Sequence, residues 1–146
     1  MDYRELLEKY NLLLYVYDQH DPQKQTKAQG LLTDGIKQEN LFLSVQVLGE
    51  FFNVVTRHIP QPMSPSEAKE IINTLNILPI QEIDMTMVKR AIDTHEMYRI
   101  SYWDSLIVSA AERTGCRIIL SEDLSDGQTY HDIQVNNPFK DEQKIS

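Results

Sequence analysis

Apolar residues recur at helical spacing in several segments of the chain, and short apolar runs separate these segments. The clearest case runs from Ser101 to Leu124, where apolar positions repeat every three or four residues up to Gly115 and a compact apolar run follows. Serine is a favoured N-cap residue, and glycine commonly ends a helix in the left-handed conformation. The pattern therefore predicts a helix, a tight stop and a buried strand from Cys116 to Leu120.

The same alternation continues through the rest of the chain. Further helices are predicted over residues 22–37, 45–58, 66–78 and 85–98, and further strands over residues 40–43, 80–83 and 133–135. The run from Leu12 to Tyr17 fits either a buried strand or a short buried helix, since its length does not separate the two. Met1–Tyr10 is charged and fits a short helix if anything. Alternating strands and helices predict one α/β domain over residues 1–146, with an atypical N-terminus (1–10), a mainly parallel sheet and a polar tail (140–146).

Composition and charge narrow the class of protein. The chain has 146 residues, of which 41% are hydrophobic and 25% charged, as in ordinary globular domains. The net charge of −8 disfavours a protein that coats nucleic acid by charge alone. It leaves open an enzyme that acts on nucleic acid through bound metal ions, and it suits a basic partner.

Cysteine usage and hydropathy are typical of an intracellular protein. The single cysteine, Cys116, excludes an internal disulfide and is predicted to be a small core residue. No apolar run approaches the roughly 18 residues of a membrane span, and no signal peptide opens the chain. We therefore expect a cytoplasmic protein without a membrane partner.

Three carboxylates are predicted to converge at one edge of the sheet. Asp104 lies in the first turn of the helix that precedes Cys116, and Glu122 and Asp123 follow the strand. A helix of about 12 residues and a strand of about 5 residues both span roughly 17–18 Å, so the helix start returns to the strand end. This is the edge where open α/β folds usually bind ligands.

Carboxylates gathered without a counter-charge repel one another, and such groups usually hold a divalent cation such as Mg²⁺ or Mn²⁺. The simpler alternatives are an aspartate that complements a helix dipole and an acidic pair in a solvated turn. Glu50 lies on or beside the apolar face of the helix that follows residues 40–43. It either pairs with an arginine or a backbone amide, or it joins the carboxylates at the same edge.

Several other chemistries lack their motifs. The chain has no Walker A sequence, no glycine-rich dinucleotide fingerprint and no Gly-x-Ser-x-Gly elbow. Its four histidines are isolated and are interpreted as surface or turn residues. Carboxylate chemistry with a metal ion remains.

With Glu50, Asp104, Ser121 and Asp123 in place, the chain resembles the PIN-domain family, in particular the toxin endonucleases of VapC type. The similarity runs from about Asn11 to Phe139. Its most specific part, SYWDSLIVSAAERTGCRIILSEDLSDGQ, is similar to the family's third and fourth acidic motifs, and LSVQVLGEFFNVV is similar to the second.

This resemblance implies a three-layer α/β/α fold with a central, mainly parallel sheet. It implies Mg²⁺- or Mn²⁺-dependent cleavage of RNA, a homodimer and a cognate antitoxin that blocks the site. Glu50, Asp104 and Asp123 match the catalytic and metal-binding acids of the family. The matching supporting residues are Asn11, Ser121 and Glu122.

The resemblance fails abruptly at the N-terminus. Lys9 stands where the first catalytic aspartate is expected, and Met1–Tyr10 contains no counterpart of the first strand. Four nearby acids could substitute for that aspartate, but nothing in their spacing supports this: Asp2, Glu5, Glu8 and Asp18. The Lys9 ammonium could pair with the remaining carboxylates and displace a metal ion.

Two functions therefore compete. The first is a metal-dependent endoribonuclease of a toxin–antitoxin pair. The second is a catalytically impaired PIN-like protein that binds antitoxin or RNA without cleavage. A response-regulator receiver also gathers acids at strand ends, but its acidic pair, central aspartate and late lysine are not found in register.

Overall fold

The computed structural model describes residues 4–140, which fold around one sheet in the strand order β3-β2-β1-β4-β6-β5. The strands are β1 (Glu5–Leu7), β2 (Leu41–Ser44), β3 (Ile80–Gln81), β4 (Ile118–Leu120), β5 (Thr129–Tyr130) and β6 (Ile133–Asn136). The helices are α1 (Asn11–Tyr17), α2 (Pro22–Gln38), α3 (Val45–Arg57), α4 (Pro65–Leu75), α5 (Met85–Tyr98) and α6 (Tyr102–Thr114). The predicted three-layer α/β/α fold with a mainly parallel sheet is confirmed. Apart from Lys140, the predicted polar tail lies outside the described residues.

The N-terminal segment supplies the central strand, and the prediction that no first strand exists there is wrong. Strand β1 pairs in parallel with β2 on one side and with β4 on the other. Leu6 and Leu7 are fully buried. The strand is only three residues long and starts with a glutamate, so the sequence contains no apolar run that would predict it. Its neighbours on both sides, rather than its own pattern, make it a strand.

Two further segments were left open or missed. The apolar run after Tyr10 is helix α1, which buries Leu12, Leu13 and Val16. Strand β5 was not predicted, because it has two residues and forms only as the antiparallel partner of β6. Both depend on contacts with distant parts of the chain.

The helices that begin at the sheet edge are fixed by the caps that the sequence predicts. Ser44 accepts a hydrogen bond from the Val47 amide at 3.2 Å, and Ser101 accepts one from the Asp104 amide at 3.0 Å. Gly115 ends α6 at φ 72°. Each cap satisfies a backbone amide that the helix leaves free, so α3 begins directly where β2 ends.

The core lies between the sheet and its helices. Helix α6 packs against β1, β2, β4 and β6, and α5 packs against α6. Cys116 is buried, and this burial raises the pKa of its thiol to about 11, so the prediction of a core residue is confirmed. Within residues 4–140, every helix is too short or too polar to cross a lipid bilayer.

Gly35 marks a close approach of α2 to β2, and its replacement should destabilise the fold. A Cβ atom at Gly35 would lie 2.5 Å from the Leu41 Cβ atom, whereas a Cβ atom at Gly30 on the same helix meets nothing within 4 Å. We expect Gly35→Ala to lower the free energy of unfolding by about 1–3 kcal/mol through overpacking. Gly30→Ala should raise it by about 0.5–1 kcal/mol. Urea denaturation of both variants checks this, and equal effects would contradict the close approach.

Candidate active site

Four carboxylates lie together at the carboxyl edge of the sheet, and we call them the acidic site: Glu8, Glu50, Asp104 and Asp123. Glu8 follows β1, Glu50 lies on α3, Asp104 lies in the first turn of α6, and Asp123 follows β4. Glu8 interacts electrostatically with Asp104 and Asp123, and Glu50 with Asp104. The parallel strands end at the same edge, which is why residues distant in sequence meet here.

Glu8 is the buried member of the acidic site. It is 1% exposed, and the Ser121 hydroxyl donates a hydrogen bond of 2.9 Å to its Oε1 atom. The pKa of Glu8 is raised to about 8, chiefly by burial and in smaller part by the charges of Asp104 and Asp123, while the Ser121 hydrogen bond and Lys9 act in the opposite direction. The carboxyl group is therefore mainly protonated at neutral pH in this arrangement.

Ser121 connects Glu8 to the turn that carries Asp123. Besides donating to Glu8, its hydroxyl accepts hydrogen bonds from the backbone amides of Asp123 at 3.0 Å and Leu124 at 2.9 Å. The turn after β4 is thus closed around one serine side chain. Ser121, predicted as a supporting residue, lies where it orients two acids.

Lys9 is the cation of the acidic site. Its Nζ atom lies 3.3 Å from Asp123 Oδ2. Burial opposes its charge, but Glu8, Asp123 and Asp104 outweigh burial and raise the pKa of the ammonium group. Its charge also acts on Glu50. One ammonium group therefore interacts with the carboxyl groups of all four acids.

Glu50 is half-buried and faces the same charges. Burial raises the pKa of its carboxyl group, Asp104 raises it further, and Lys9 and Gln46 lower it. Its Oε1 atom is buried and has no hydrogen-bond partner among residues 4–140. Of the two alternatives for Glu50, the structure places it with the carboxylates at the sheet edge.

Glu122 belongs to a different cluster. Its carboxylate accepts hydrogen bonds from the Tyr15 hydroxyl at 2.6 Å and from the Lys24 ammonium at 3.0 Å. Lys24 also lies over the Tyr15 ring, 4.7 Å from its centroid. These contacts join α1 and α2 to the turn after β4. Asn11, at the start of α1, lines a small cavity with Lys9, Ser121 and Glu122.

Sequence reasoning missed Glu8 as a member of the site. The available signal was its position directly after the apolar pair Leu6–Leu7, the same strand-then-polar order seen where Leu120 precedes Ser121. Aligning Asn11 with the family motif instead put Lys9 in the first acid's place. In the fold both Glu8 and Lys9 reach the acidic site.

The acidic site has the type of ligand atom that a divalent cation prefers, but its side chains are further apart than a bound ion requires. Carboxylate oxygens are the ligands that Mg²⁺ and Mn²⁺ prefer, and the unpaired Glu50 Oε1 is a donor atom in need of a partner. Within residues 4–140, however, no three acidic, histidine or cysteine side chains are close enough together to hold a metal ion. The Lys9 ammonium lies among these acids, paired with Asp123.

The family profile described as PIN domain matches residues 10–125. The chain belongs to the PIN domain family. The matched residues include Glu50, Asp104 and Asp123 of the acidic site, while β1, Glu8 and Lys9 precede them. The family assignment therefore rests on the part of this PIN domain that the sequence alone already identified.

Solved structures show the same fold at low sequence identity. VapC20 of Mycobacterium tuberculosis, described as a sarcin-ricin loop cleaving toxin, is 14% identical with a TM-score of 0.64, covering 89% of this PIN domain and 98% of that chain. A toxin–antitoxin complex from Klebsiella pneumoniae is 13% identical with a TM-score of 0.68, covering 92% and 97%. VapBC2 of Rickettsia felis, bound to a DNA fragment from their promoter, is 15% identical with a TM-score of 0.65, covering 91% and 97%. No curated protein has a sequence that matches this chain.

Proposed function

We propose that this PIN domain is the toxin of a toxin–antitoxin pair and hydrolyses RNA phosphodiester bonds with the help of Mg²⁺ or Mn²⁺. The observation that carries this proposal is the gathering of Glu8, Glu50, Asp104 and Asp123 at one sheet edge. The family assignment and the three toxin-system neighbours support it.

Each acid that the family resemblance assigns to the site has a proposed role. Glu50, Asp104 and Asp123 would hold the ion, with Asp104 as the chief ligand. A bound divalent ion lowers the pKa of water and stabilises negative charge on a phosphate group. Glu50 Oε1 has a free lone pair with which to accept a hydrogen bond from the attacking water, and Asp123 is the alternative acceptor. Ser121 fixes the turn that carries Asp123, and Asn11 lines the adjacent cavity.

The proposed partners are an RNA substrate, a cognate antitoxin and a second copy of the chain in a homodimer. The net charge of −8 suits an antitoxin segment that carries basic residues. We also propose a cytoplasmic location for the protein.

One observation favours a second candidate, a PIN domain that binds antitoxin or RNA without cleaving it. The Lys9 ammonium is paired with Asp123 at 3.3 Å, so one of the proposed ligands already has a counter-charge. A chain in which this pair never opens would keep its binding surfaces and lose its chemistry.

Cleavage of a mixed RNA pool by the purified protein separates the two candidates. We expect cleavage with Mn²⁺ or Mg²⁺ and none with EDTA. Asp104→Asn should lower the rate by about 10²-fold or more, because loss of even an outer-shell partner of a metal site costs about 10–100-fold. The matched control is Asp93→Asn, which removes one charge from an exposed position on α5 and should change little.

The outcomes are distinct. Cleavage that survives EDTA or Asp104→Asn would contradict the proposed site. A folded protein that does not cut under any of these conditions would favour binding without cleavage.

A further inference from the structure

We infer that Lys9 is a tethered cation that competes with the divalent metal ion for the acidic site and so restrains the activity of this PIN domain. The inference rests on the proposed function, since it assigns a regulatory contact to the same site. It differs from inactivation by a missing ligand, because Glu8 already supplies a carboxyl group at the end of β1.

The backbone places Lys9 at the acidic site. Glu8, the residue before it, continues the pairing of β1 with β4 through a hydrogen bond of 3.0 Å from its amide to the Leu120 carbonyl. Asn11 then starts helix α1. The backbone of Lys9 therefore lies between the central strand and the start of a helix. From this position its side chain contacts Asp123.

The charges make the competition direct. Without Lys9, the acidic site consists of carboxyl groups alone, and the ammonium supplies the cation that they interact with. A divalent ion needs the oxygens of Asp123 and its neighbours, and it also repels a nearby ammonium. Metal binding must therefore break the Lys9–Asp123 pair and move the Lys9 head group away.

The Lys9 head group can move away from its partner more easily than that of Lys24, which pairs with Glu122. The Lys9 side chain is 38% exposed and pairs with an Asp123 side chain that is 47% exposed. The side chains of Lys24 and Glu122 are less exposed, at 23% and 9%. Lys24 also donates to Tyr15 and lies over the rings of Tyr15 and Phe139. Lys24 therefore provides a control for removing a lysine that pairs with an acid outside the acidic site.

Mn²⁺ affinity measured by isothermal titration calorimetry tests the inference. Methionine is unbranched like lysine, so Lys9→Met removes the charge and keeps most of the apolar stem. We expect this variant to bind Mn²⁺ about 10–100-fold more tightly than the unmodified protein. Lys9→Arg retains a positive charge and should stay within about threefold of the unmodified protein, and Lys24→Met should do the same. The increase in Tm caused by added Mn²⁺ should follow the same order.

Every result bears on the inference. Equal Mn²⁺ affinity of the unmodified protein and Lys9→Met would overturn it, as would an equal gain in Lys24→Met. If Lys9→Met does not fold by circular dichroism, Lys9→Gln replaces it with the same expected gain. Tight Mn²⁺ binding by Lys9→Met without RNA cleavage would uphold the competition and refute the proposed nuclease function, so the two failures are distinguishable.

Discussion

Replacing Leu6 with alanine should lower the free energy of unfolding by about 2–5 kcal/mol, the range for a leucine in a well-packed core. Leu6 is fully buried and pairs with Phe42 of β2 on one side and Ile119 of β4 on the other. Truncation would leave a cavity at the centre of the sheet, where the surrounding strands have little freedom to collapse. Denaturation with urea, followed by far-ultraviolet circular dichroism, measures the loss.

The control for Leu6→Ala is Ile77→Ala. Ile77 is 68% exposed, so its truncation should change the free energy of unfolding by no more than about 0.5 kcal/mol. If Leu6→Ala costs no more than this control, the segment Glu5–Leu7 is not the central strand. The comparison therefore tests the element of the fold that the sequence pattern failed to reveal.

Glu8→Gln should raise the free energy of unfolding by a few kcal/mol at neutral pH in metal-free buffer containing EDTA. Glu8 is 1% exposed, and burial raises its pKa from 4.5 to about 8. When the pKa of a group differs by one between the folded and unfolded states, the free energy of unfolding changes by about 1.4 kcal/mol. Glutamine keeps an oxygen that accepts the Ser121 hydrogen bond and removes the ionisable group. Urea denaturation of both proteins across a pH series measures the difference.

The sign of the pH dependence follows from the raised pKa. Below about pH 4 Glu8 binds its proton in both the folded and the unfolded state, so it causes no penalty. Between about pH 4.5 and 8 the unfolded chain releases this proton while the folded protein keeps it, so stability falls as the pH rises. Above about pH 8 both states are ionised and the decline stops. Glu8→Gln should lack this decline, and an unchanged pH profile would contradict the burial of an ionisable Glu8.

A more stable Glu8→Gln protein would also bear on function. A buried carboxyl group that costs stability is typical of a site where another property, such as ligand binding, is retained at the expense of stability. We therefore interpret the burial of Glu8 as part of the acidic site and not as part of the core.

Much of the site was accessible from sequence because its determinants are local. Ser101 and Gly115 cap α6 at its two ends, and the short link to β4 forces the helix start back to the strand end. That geometry alone placed Asp104 near Asp123. Ser44 did the same for the helix that carries Glu50. Each of these features depends on residues within one or two turns of one another.

The individual orientation of neighbouring acids was not accessible. Glu122 and Asp123 are adjacent in sequence, yet Glu122 pairs with Lys24 and Tyr15 while Asp123 pairs with Lys9. The partners come from α1, α2 and the end of β1, about 100 residues earlier in the chain. Sequence spacing carries no information about which of two adjacent side chains such distant groups will meet.

The sequence by itself determined helices α2 to α6, the parallel α/β architecture, the family and three of the four acids, because periodicity, caps and stops act over short stretches of chain. The tertiary structure alone decided that Glu5–Leu7 is the central strand, since a three-residue strand is stabilised by β2 and β4 and not by its own residues. It therefore also decided the position of the two residues after that strand. Glu8 became the buried fourth acid and Lys9 the cation among the four, because both follow directly from where β1 ends.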